Sequence, residues 1–266
     1  MGRYDGILFC TDLDGTLLKN DCSVSRENIA AIEFFKENGG IFTFVTGRMP
    51  FFVSEIWNTI RPNAAFGCIN GGGLYDYEQQ KYISQCVIPE TVLELVQSVD
   101  EAVPGVGIQV NTFYHTYFCK ENDTMVRFRK ITGLPNLTRS YQSVDEPMAK
   151  ILFGTDDESE MEELQKVLRA HPNAEAFDFI RSAKYLYEIL PKGIGKGTVV
   201  LELPKYLDRP IMKTVAIGDY NNDVSMIRAA DFGVAVANAC PEALEAADYI
   251  TVSNEEHAIA KVIEML

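Results

Sequence analysis

Two short apolar runs near the start of the chain each end at a cluster of polar residues. Residues 6–11 (Gly-Ile-Leu-Phe-Cys-Thr) stop at an Asp-Leu-Asp triplet, and residues 41–45 (Ile-Phe-Thr-Phe-Val) stop at a Thr-Gly-Arg triplet. Short runs that are apolar almost throughout are typical of strands buried on both faces of a parallel sheet. The pattern therefore predicts two buried parallel strands.

A helical pattern lies between these two runs. Ser25 is a suitable N-cap, and the apolar residues Ile29, Ile32 and Phe35 follow at helical spacing. The Gly-Gly pair at 39–40 is a helix stop signal. Strand, helix and strand in this order predict a βαβ unit.

The alternation of strands and helices continues along part of the chain, whereas the middle of the chain has a different pattern of apolar residues. We predict a helix at 51–60, a strand at 65–69, a strand at 212–217, a helix at 222–229, a strand at 233–236 and a closing helix at 255–266. In the middle we predict strands at 107–110, 116–119, 149–154 and 185–190, and helices at 90–103 and 158–170. Short alternating strands with two helices favour an inserted α+β domain at 84–189, between core segments at 1–83 and 190–266.

Composition narrows the class of protein. The 266 residues are 47% hydrophobic and 23% charged, which is the composition of a globular protein rather than of a disordered chain. The net charge of −14, without a Lys/Arg cluster, disfavours nucleic acid and membrane surfaces as partners.

Six scattered cysteines indicate reduced thiols, and three histidines without a Cys-x-x-Cys pair leave zinc no ligand set. No secretory signal or long apolar run is evident, so we expect a soluble cytoplasmic protein.

Two carboxylates, Asp12 and Asp14, directly follow the first predicted strand. The carboxyl ends of parallel strands are where open α/β sheets bind their ligands. Because one residue separates the two, their side chains can point toward different groups. The alternative is an acidic turn in which Asp14 and Gly15 only change the chain direction.

The triplet Thr46-Gly47-Arg48 occupies the equivalent place after the second strand. A hydroxyl, a glycine N–H and the start of a helix together form a cradle for an anion. The alternative is a threonine N-cap with a turn glycine.

The segment 218–223 (Gly-Asp-Tyr-Asn-Asn-Asp) repeats this arrangement after a later strand. Asp219 and Asp223 would repel Asp12 unless a cation lay between them. An all-oxygen set of this kind suits Mg²⁺, which keeps several waters and bridges to phosphate oxygens.

A glycine-rich stretch at 193–198 contains Lys196. It does not match a P-loop, because Leu190 stands where the first glycine is needed and Gly197 where Ser or Thr is needed. Lys196 can still place a cation at the start of a helix, although a lone lysine is usually a solvated surface residue.

These motifs, in this order and in these strand contexts, resemble those of the haloacid dehalogenase superfamily of phosphohydrolases. The insert resembles the type IIB cap of Cof-like sugar-phosphate phosphatases. The segments at 70–72 (Asn-Gly-Gly) and 233–239 also resemble family segments. The resemblance implies a Rossmannoid doubly wound parallel-sheet α/β core with an inserted α+β cap. Two positions depart from the family pattern, the bulky Tyr220 and His257 after Glu256.

The resemblance also implies roles for individual residues. Asp12 would be the nucleophile and a Mg²⁺ ligand, Asp14 the general acid/base whose carbonyl also meets the metal, and Asp219 the third metal ligand. Phosphate would be held by the N–H groups of Leu13 and Gly47 and by the side chains of Thr46, Lys196 and Asn222. Supporting positions would be Arg48, Asn70 and Asp223.

The expected function is Mg²⁺-dependent hydrolysis of a small phosphorylated metabolite, such as a sugar phosphate, through an aspartyl phosphate. A phosphosugar mutase shares these steps and stays open, as does a phosphoacceptor or binding module without turnover. Asn111, Tyr114 and His115 fall in a predicted strand-to-strand turn and could contact the leaving group, although a solvent-facing hairpin is the alternative. The metabolite and the oligomeric state do not follow from the sequence.

Overall fold

The computed structural model describes residues 2–266, which form two compact units. The core unit comprises the described residues up to Ser84 together with Gly195–Leu266. The inserted unit is Gln85–Ile194. The chain thus leaves the core unit once and returns to it once, directly before Lys196.

The first segment of the core unit alternates strands and helices and then forms a small sheet. Its elements are β1 (Ile7–Thr11), α1 (Arg26–Glu37), β2 (Ile41–Phe44), α2 (Ser54–Ile60), β3 (Phe66–Cys68), β4 (Gly73–Asp76) and β5 (Lys81–Gln85). Helix α1 begins as predicted, because the Oγ of Ser25 accepts a hydrogen bond from the N–H of Asn28 at 3.2 Å. The three-stranded sheet β3-β4-β5 includes two strands that the sequence pattern did not predict.

The inserted unit is a five-stranded antiparallel sheet with helices. Its elements are α3 (Val92–Ala102), β6 (Gly107–Thr112), β7 (Thr116–Lys120), α4 (Asp123–Thr132), β8 (Met148–Gly154), α5 (Glu158–Ala170), β9 (Phe177–Ala183) and β10 (Leu186–Pro191). The strand order is β7-β6-β8-β10-β9. Helices α3 and α5 cover one face of this sheet through a single apolar cluster. Residue Asn111 lies within β6 and not in the predicted turn, because the ladders to β7 and β8 extend to this position.

The second segment completes the core unit. Its elements are α6 (Lys196–Glu202), β11 (Lys213–Gly218), α7 (Val224–Ala229), β12 (Phe232–Ala235), α8 (Pro241–Ala246), β13 (Tyr249–Ile250) and α9 (Ala258–Met265). The predicted closing helix is broken at His257, which has a left-handed φ of 63°. The predicted helix at 222–229 begins with a short 3-10 turn at Asn221–Asp223.

The main sheet of the core unit is parallel and has helices on both faces. Its strand order is β13-β12-β11-β1-β2, so β1 has a parallel neighbour on each side. Leu8 and Cys10 pack on the α6 and α7 side, and Phe9 packs on Phe35 of α1 on the other. The doubly wound architecture is therefore confirmed. Because its strands are parallel, their carboxyl ends meet at one edge of the sheet.

The structure also describes the state of the cysteines and the length and polarity of the helices. All six cysteines are free, and burial raises the pKa of the Cys10 thiol to about 12. Cys22, by contrast, is exposed. Within residues 2–266, every helix is too short or too polar to cross a lipid bilayer.

Candidate active site

The carboxylate of Asp12 lies at the end of the central strand. The N–H of Asp12 donates to the carbonyl of Ile217 at 2.9 Å, so the ladder with β11 continues one residue beyond β1. The chain then enters a wide turn over Leu13–Leu17, in which Leu13 is fully buried. Gly15 adopts a φ of +77°, and a Cβ there would lie 2.5 Å from Oδ2 of Asp219. The glycine is therefore required both by the turn and by the close approach of a carboxylate.

Lys196 is the first residue of α6 and only 1% exposed. Its Nζ lies 2.5 Å from Oδ1 of Asp12 and 2.6 Å from Oδ1 of Asp223. Burial alone would lower the pKa of this ammonium, but the two carboxylates outweigh burial and raise the pKa above its usual value. Lys196 is therefore a permanent cation at the end of β1.

Three carboxylates converge around this cation. One oxygen from each of Asp12, Asp219 and Asp223 lies within 4.8 Å of the others. Burial, followed by repulsion from Asp223, raises the pKa of Asp12, and the same two causes raise the pKa of Asp219 to about 7. A surplus of negative charge in a buried, all-oxygen donor set is what a divalent cation such as Mg²⁺ would neutralise. The residues present therefore fit a magnesium ion.

The side chain of Asp14 lies apart from these three carboxylates and is 57% exposed. Arg48 binds it through two hydrogen bonds, Nε to Oδ2 at 2.9 Å and Nη2 to Oδ1 at 2.5 Å. Burial alone would lower the pKa of Arg48, but the contact with Asp14 raises it. Asp14, the predicted acid/base, is thus held by Arg48, which was predicted as a supporting residue. The third carboxylate beside Asp12 and Asp219 belongs to Asp223 and not to Asp14.

The segment after β2 forms the second part of the site. Thr46 is 1% exposed, its Oγ1 accepts from the N–H of Arg48 at 3.1 Å, and its carbonyl accepts from the N–H of Asn70 at 3.0 Å. A Cβ at Gly47 would lie 3.0 Å from Oδ1 of Asn70. The same Oδ1 accepts from Nδ2 of Asn222 at 3.1 Å. These contacts join the segments that follow β2, β3 and β11.

The loop after β11 is organised by one carboxylate. Oδ2 of Asp223 accepts from the N–H groups of Asp219 and Tyr220, both at 3.0 Å. Asp223 therefore fixes the backbone that carries Asp219 and at the same time contacts Lys196 through its other oxygen. Tyr220 is bulkier than the residue usual in the family pattern, but its N–H still takes part in this backbone arrangement.

Two further residues support the site but had no predicted role. Oγ1 of Thr16 donates to Oδ1 of Asp219 at 3.1 Å, and Nδ2 of Asn238 donates to the carbonyl of Gly15 at 2.9 Å. Thr16 follows the Asp-Leu-Asp-Gly sequence directly, which is a usable signal. Asn238 lies in the segment 233–239 that resembles a family segment, but its contact with Gly15 could not be predicted, because the two residues are far apart in the sequence.

Comparison with known proteins agrees with this architecture. The sequence model of the haloacid dehalogenase-like hydrolases matches residues 9–263. YxeH of Bacillus subtilis is 29% identical over 279 residues, and the alignment covers 97% of each chain. YwtE of B. subtilis, a 5-amino-6-(5-phospho-D-ribitylamino)uracil phosphatase, is 25% identical over 96% of each chain. The solved structure of a haloacid dehalogenase-like hydrolase from B. subtilis superposes with a TM-score of 0.85 at 26% identity, covering 97% of this chain and 99% of that one.

The family match extends over nearly the whole chain and includes both segments of the core unit. The expected membership in this group of hydrolases is confirmed, and with it the class of enzyme. The chain belongs to the haloacid dehalogenase-like hydrolase family.

Proposed function

We propose that this protein is a Mg²⁺-dependent phosphatase that hydrolyses phosphomonoesters of small metabolites. The observation that carries the proposal is the contact of buried Lys196 with Asp12 at the end of β1, beside two further carboxylates. This arrangement combines an anionic nucleophile with positive charge for a phosphoryl group. Family membership supports hydrolysis as the class of reaction.

Asp12 is the proposed nucleophile. Burial and repulsion from Asp223 raise the pKa of Asp12, whereas the ammonium of Lys196 favours the ionised form that attacks phosphorus. Attack on phosphorus would form an aspartyl phosphate on Asp12 and break the bond between phosphorus and the alcohol oxygen. Water would then hydrolyse the aspartyl phosphate, which releases inorganic phosphate and restores the carboxylate.

Asp14 is the proposed general acid/base. It would protonate the departing alcohol oxygen and then take a proton from the attacking water. Its carboxyl group is largely exposed, unlike the carboxylate of Asp12, so it can exchange protons with solvent. Arg48 would orient this side chain through the two hydrogen bonds described above.

The remaining site residues would position the phosphate and the metal. The Thr46 hydroxyl, the N–H groups of Leu13 and Gly47, the ammonium of Lys196 and the amide of Asn222 would hold phosphate oxygens. Asp12, Asp219 and the carbonyl of Asp14 would hold Mg²⁺, with Asp223 in support. When bound, Mg²⁺ supplies positive charge that stabilises the phosphoryl oxygens in the transition state.

The proposed substrate is a small hydroxylated phosphomonoester. A relative that aligns over 96% of its length, YwtE, is named for a phosphorylated ribityl compound, which supports a substrate of this class. We propose that the inserted unit, Gln85–Ile194, acts as the cap that supplies substrate selectivity and excludes water. The core unit would supply the nucleophile, the metal ligands and the phosphate cradle.

A panel of phosphorylated metabolites, assayed with Mg²⁺ for release of inorganic phosphate, tests this function. We expect stoichiometric phosphate release in a single turnover with a monophosphate. A mutase would instead interconvert sugar phosphate isomers faster than it releases phosphate and would depend on a bisphosphate activator. A stable phosphoprotein that forms without turnover would indicate a phosphoacceptor module.

A further inference from the structure

The wide turn after β1 has an irregular backbone. Within Leu13–Leu17, Asp14 is extended (φ −77°, ψ 120°) and Gly15 is left-handed (φ 77°, ψ −1°). At the end of the turn, the N–H of Leu18 donates to the carbonyl of Leu13 at 2.8 Å. Because Asp14 and Gly15 depart from helical geometry, we expect hydrogen bonds from other segments to set the position of the turn.

Asn254 supplies hydrogen bonds of this kind from the segment after β13. It begins a short 3-10 turn and is only 3% exposed. Its Nδ2 donates to the carbonyl of Leu18 at 2.9 Å and to Oδ1 of Asn20 at 3.2 Å. Its N–H donates to Oδ1 of Asn238 at 2.9 Å. One buried residue thus contacts the end of the wide turn and also a second asparagine.

Asn238 extends these hydrogen bonds to the middle of the turn. While its Oδ1 accepts from Asn254, its Nδ2 donates to the carbonyl of Gly15 at 2.9 Å. The N–H of Ala237 donates to the carbonyl of Val252 at 3.2 Å, so the segments that carry the two asparagines are also joined through their backbones. We call Asn254 and Asn238 the asparagine relay.

The wide turn also contacts Asp219. Oγ1 of Thr16 donates to Oδ1 of Asp219 at 3.1 Å, and a Cβ at Gly15 would lie 2.5 Å from Oδ2 of Asp219. The N–H of Cys240, two residues after Asn238, donates to the carbonyl of Asp219 at 2.8 Å. The segment that carries Asn238 therefore holds both the wide turn and the backbone of Asp219.

The stability of the fold gives little reason for the hydrogen bonds of Asn238. This residue is exposed, and a hydrogen bond that replaces one with water adds little to the free energy of unfolding. What the two bonds of its side chain do is fix the Gly15 carbonyl relative to Asn254. Residues that orient metal ligands in this indirect way typically change metal affinity or activity 10–100-fold when they are replaced.

We propose that the asparagine relay positions the magnesium site. The inference rests on the proposed phosphatase function, in which Asp12, Asp219 and the carbonyl of Asp14 hold Mg²⁺. Asn238 and Asn254 are positioning residues, because they act through the turn that carries the Asp14 carbonyl. Loss of either side chain should therefore weaken Mg²⁺ binding, and loss of the exposed Asn238 side chain should do so without weakening the fold.

The test measures Mg²⁺ binding by variants of the full-length protein in the absence of substrate. Asn238→Ala removes the exposed amide of the relay, and Asn254→Ala removes the buried amide. Asn58→Ala, which truncates an exposed asparagine of α2, is the control. For each protein, calorimetric titration gives the Kd for Mg²⁺, and Tm is measured without metal and over a series of Mg²⁺ concentrations.

We expect the Kd for Mg²⁺ to rise about tenfold in Asn238→Ala and at least as much in Asn254→Ala. The metal-free Tm of Asn238→Ala and the Kd of Asn58→Ala should equal the wild-type values. The Kd of the double variant should rise by less than the product of the two single effects, because both asparagines act through one turn. The Mg²⁺ concentration that gives half-maximal phosphate release should rise by the same factor as the Kd.

An unchanged Kd in Asn238→Ala would show that the relay is only structural and would overturn the inference, even if Asn254→Ala fails to fold. Single effects that multiply fully in the double variant would also contradict a shared relay. If the variants match a wild type that binds Mg²⁺ and hydrolyses a phosphomonoester, the inference fails and the proposed function stands. If the wild type neither binds Mg²⁺ nor hydrolyses any phosphomonoester, the proposed function fails as well.

Discussion

The Nζ atom of Lys196 lies 2.5 Å from Oδ1 of Asp12, although 184 positions separate the two residues in the chain. Helix α6, which begins with Lys196, packs on the same side of the sheet as Leu8 and Cys10 of β1. Packing of these apolar side chains therefore brings the lysine to the aspartate. Because both residues are almost fully buried, each charge depends on the other for compensation.

Loss of the Lys196 ammonium is expected to destabilise the protein strongly. Lys196→Met would leave Asp12 and Asp223 buried without their cation, which costs about 3–5 kcal/mol when one partner of a buried pair is removed. Urea unfolding in metal-free buffer measures this loss. Lys192→Met, which removes a lysine in an exposed pair with Asp178, is the control and should change the free energy of unfolding by less than about 1 kcal/mol. Equal effects of the two substitutions would contradict this prediction.

Asp12→Asn is expected to abolish turnover and leave the fold intact. An amide oxygen is a far weaker nucleophile than a carboxylate, so the rate should fall more than about a hundredfold. Phosphate release is compared with that of Asp208→Asn, an exposed aspartate of the core unit. A residual rate above about one hundredth of the wild-type rate would exclude Asp12 as the nucleophile.

Activity is expected to depend on a divalent cation. Removal of metal by EDTA should abolish phosphate release, and Mg²⁺ should restore it, because Asp12 and Asp219 offer oxygen ligands and, together with the neighbouring Asp223, carry surplus negative charge. Ca²⁺ should restore little, since its larger and looser coordination shell positions phosphate poorly. Full activity in excess EDTA would show that catalysis does not require a divalent cation and would contradict this prediction.

Much of the fold and of the site could be predicted because strands that are buried on both faces leave a strong pattern. Asp12, Thr46 and Asp219 each follow such a strand, so their meeting at one edge follows from parallel pairing. Helix α4 leaves only a weak apolar pattern in the sequence, because it buries few residues, among them Met125, and its other residues are mostly polar. Strands β4 and β5 were missed because they leave little apolar pattern in the sequence. β4 has only two buried positions, and β5 has none.

Contacts between distant side chains could not be predicted from sequence patterns. The pairing of Asp14 with Arg48 depends on two side-chain rotamers, and that of Asn70 with Asn222 depends on loops from different parts of the chain. We predicted Asn111 in a turn because it falls between the predicted strands at 107–110 and 116–119, and asparagine is common in turns. Its position in β6 follows from pairing with Lys150, which only the assembled sheet defines.

Glu146 is expected to make the stability of the protein sensitive to acid. Burial would raise the pKa of this carboxyl, but hydrogen bonds from Thr112, Tyr117 and His115 outweigh burial and lower the pKa to about 2. A carboxyl with a lowered pKa contributes stability above its ordinary value of 4.5, and this contribution is lost as the pH falls toward 2.

Glu146→Gln should therefore lower Tm at pH 7 and flatten the decline of Tm between pH 5 and about pH 2. Glu175→Gln, at an exposed position of the same unit, is the control and should follow the wild type. Thermal unfolding of the three proteins across this pH range checks the prediction. Parallel curves for Glu146→Gln and the wild type would contradict it.

The discontinuity of the core unit has a consequence for the order of events on the ribosome. Strand β1 is among the first segments to be made, yet its neighbour β11 begins only at Lys213. The inserted unit is continuous, and all five of its strands exist once Pro191 has been synthesised. Because domains fold as units during synthesis, we expect the inserted unit to fold first. Until β11 has been synthesised, β1 can pair with β2 but not with β11, so one apolar edge of β1 stays unpaired. The nascent protein is therefore expected to be most prone to aggregation during this period.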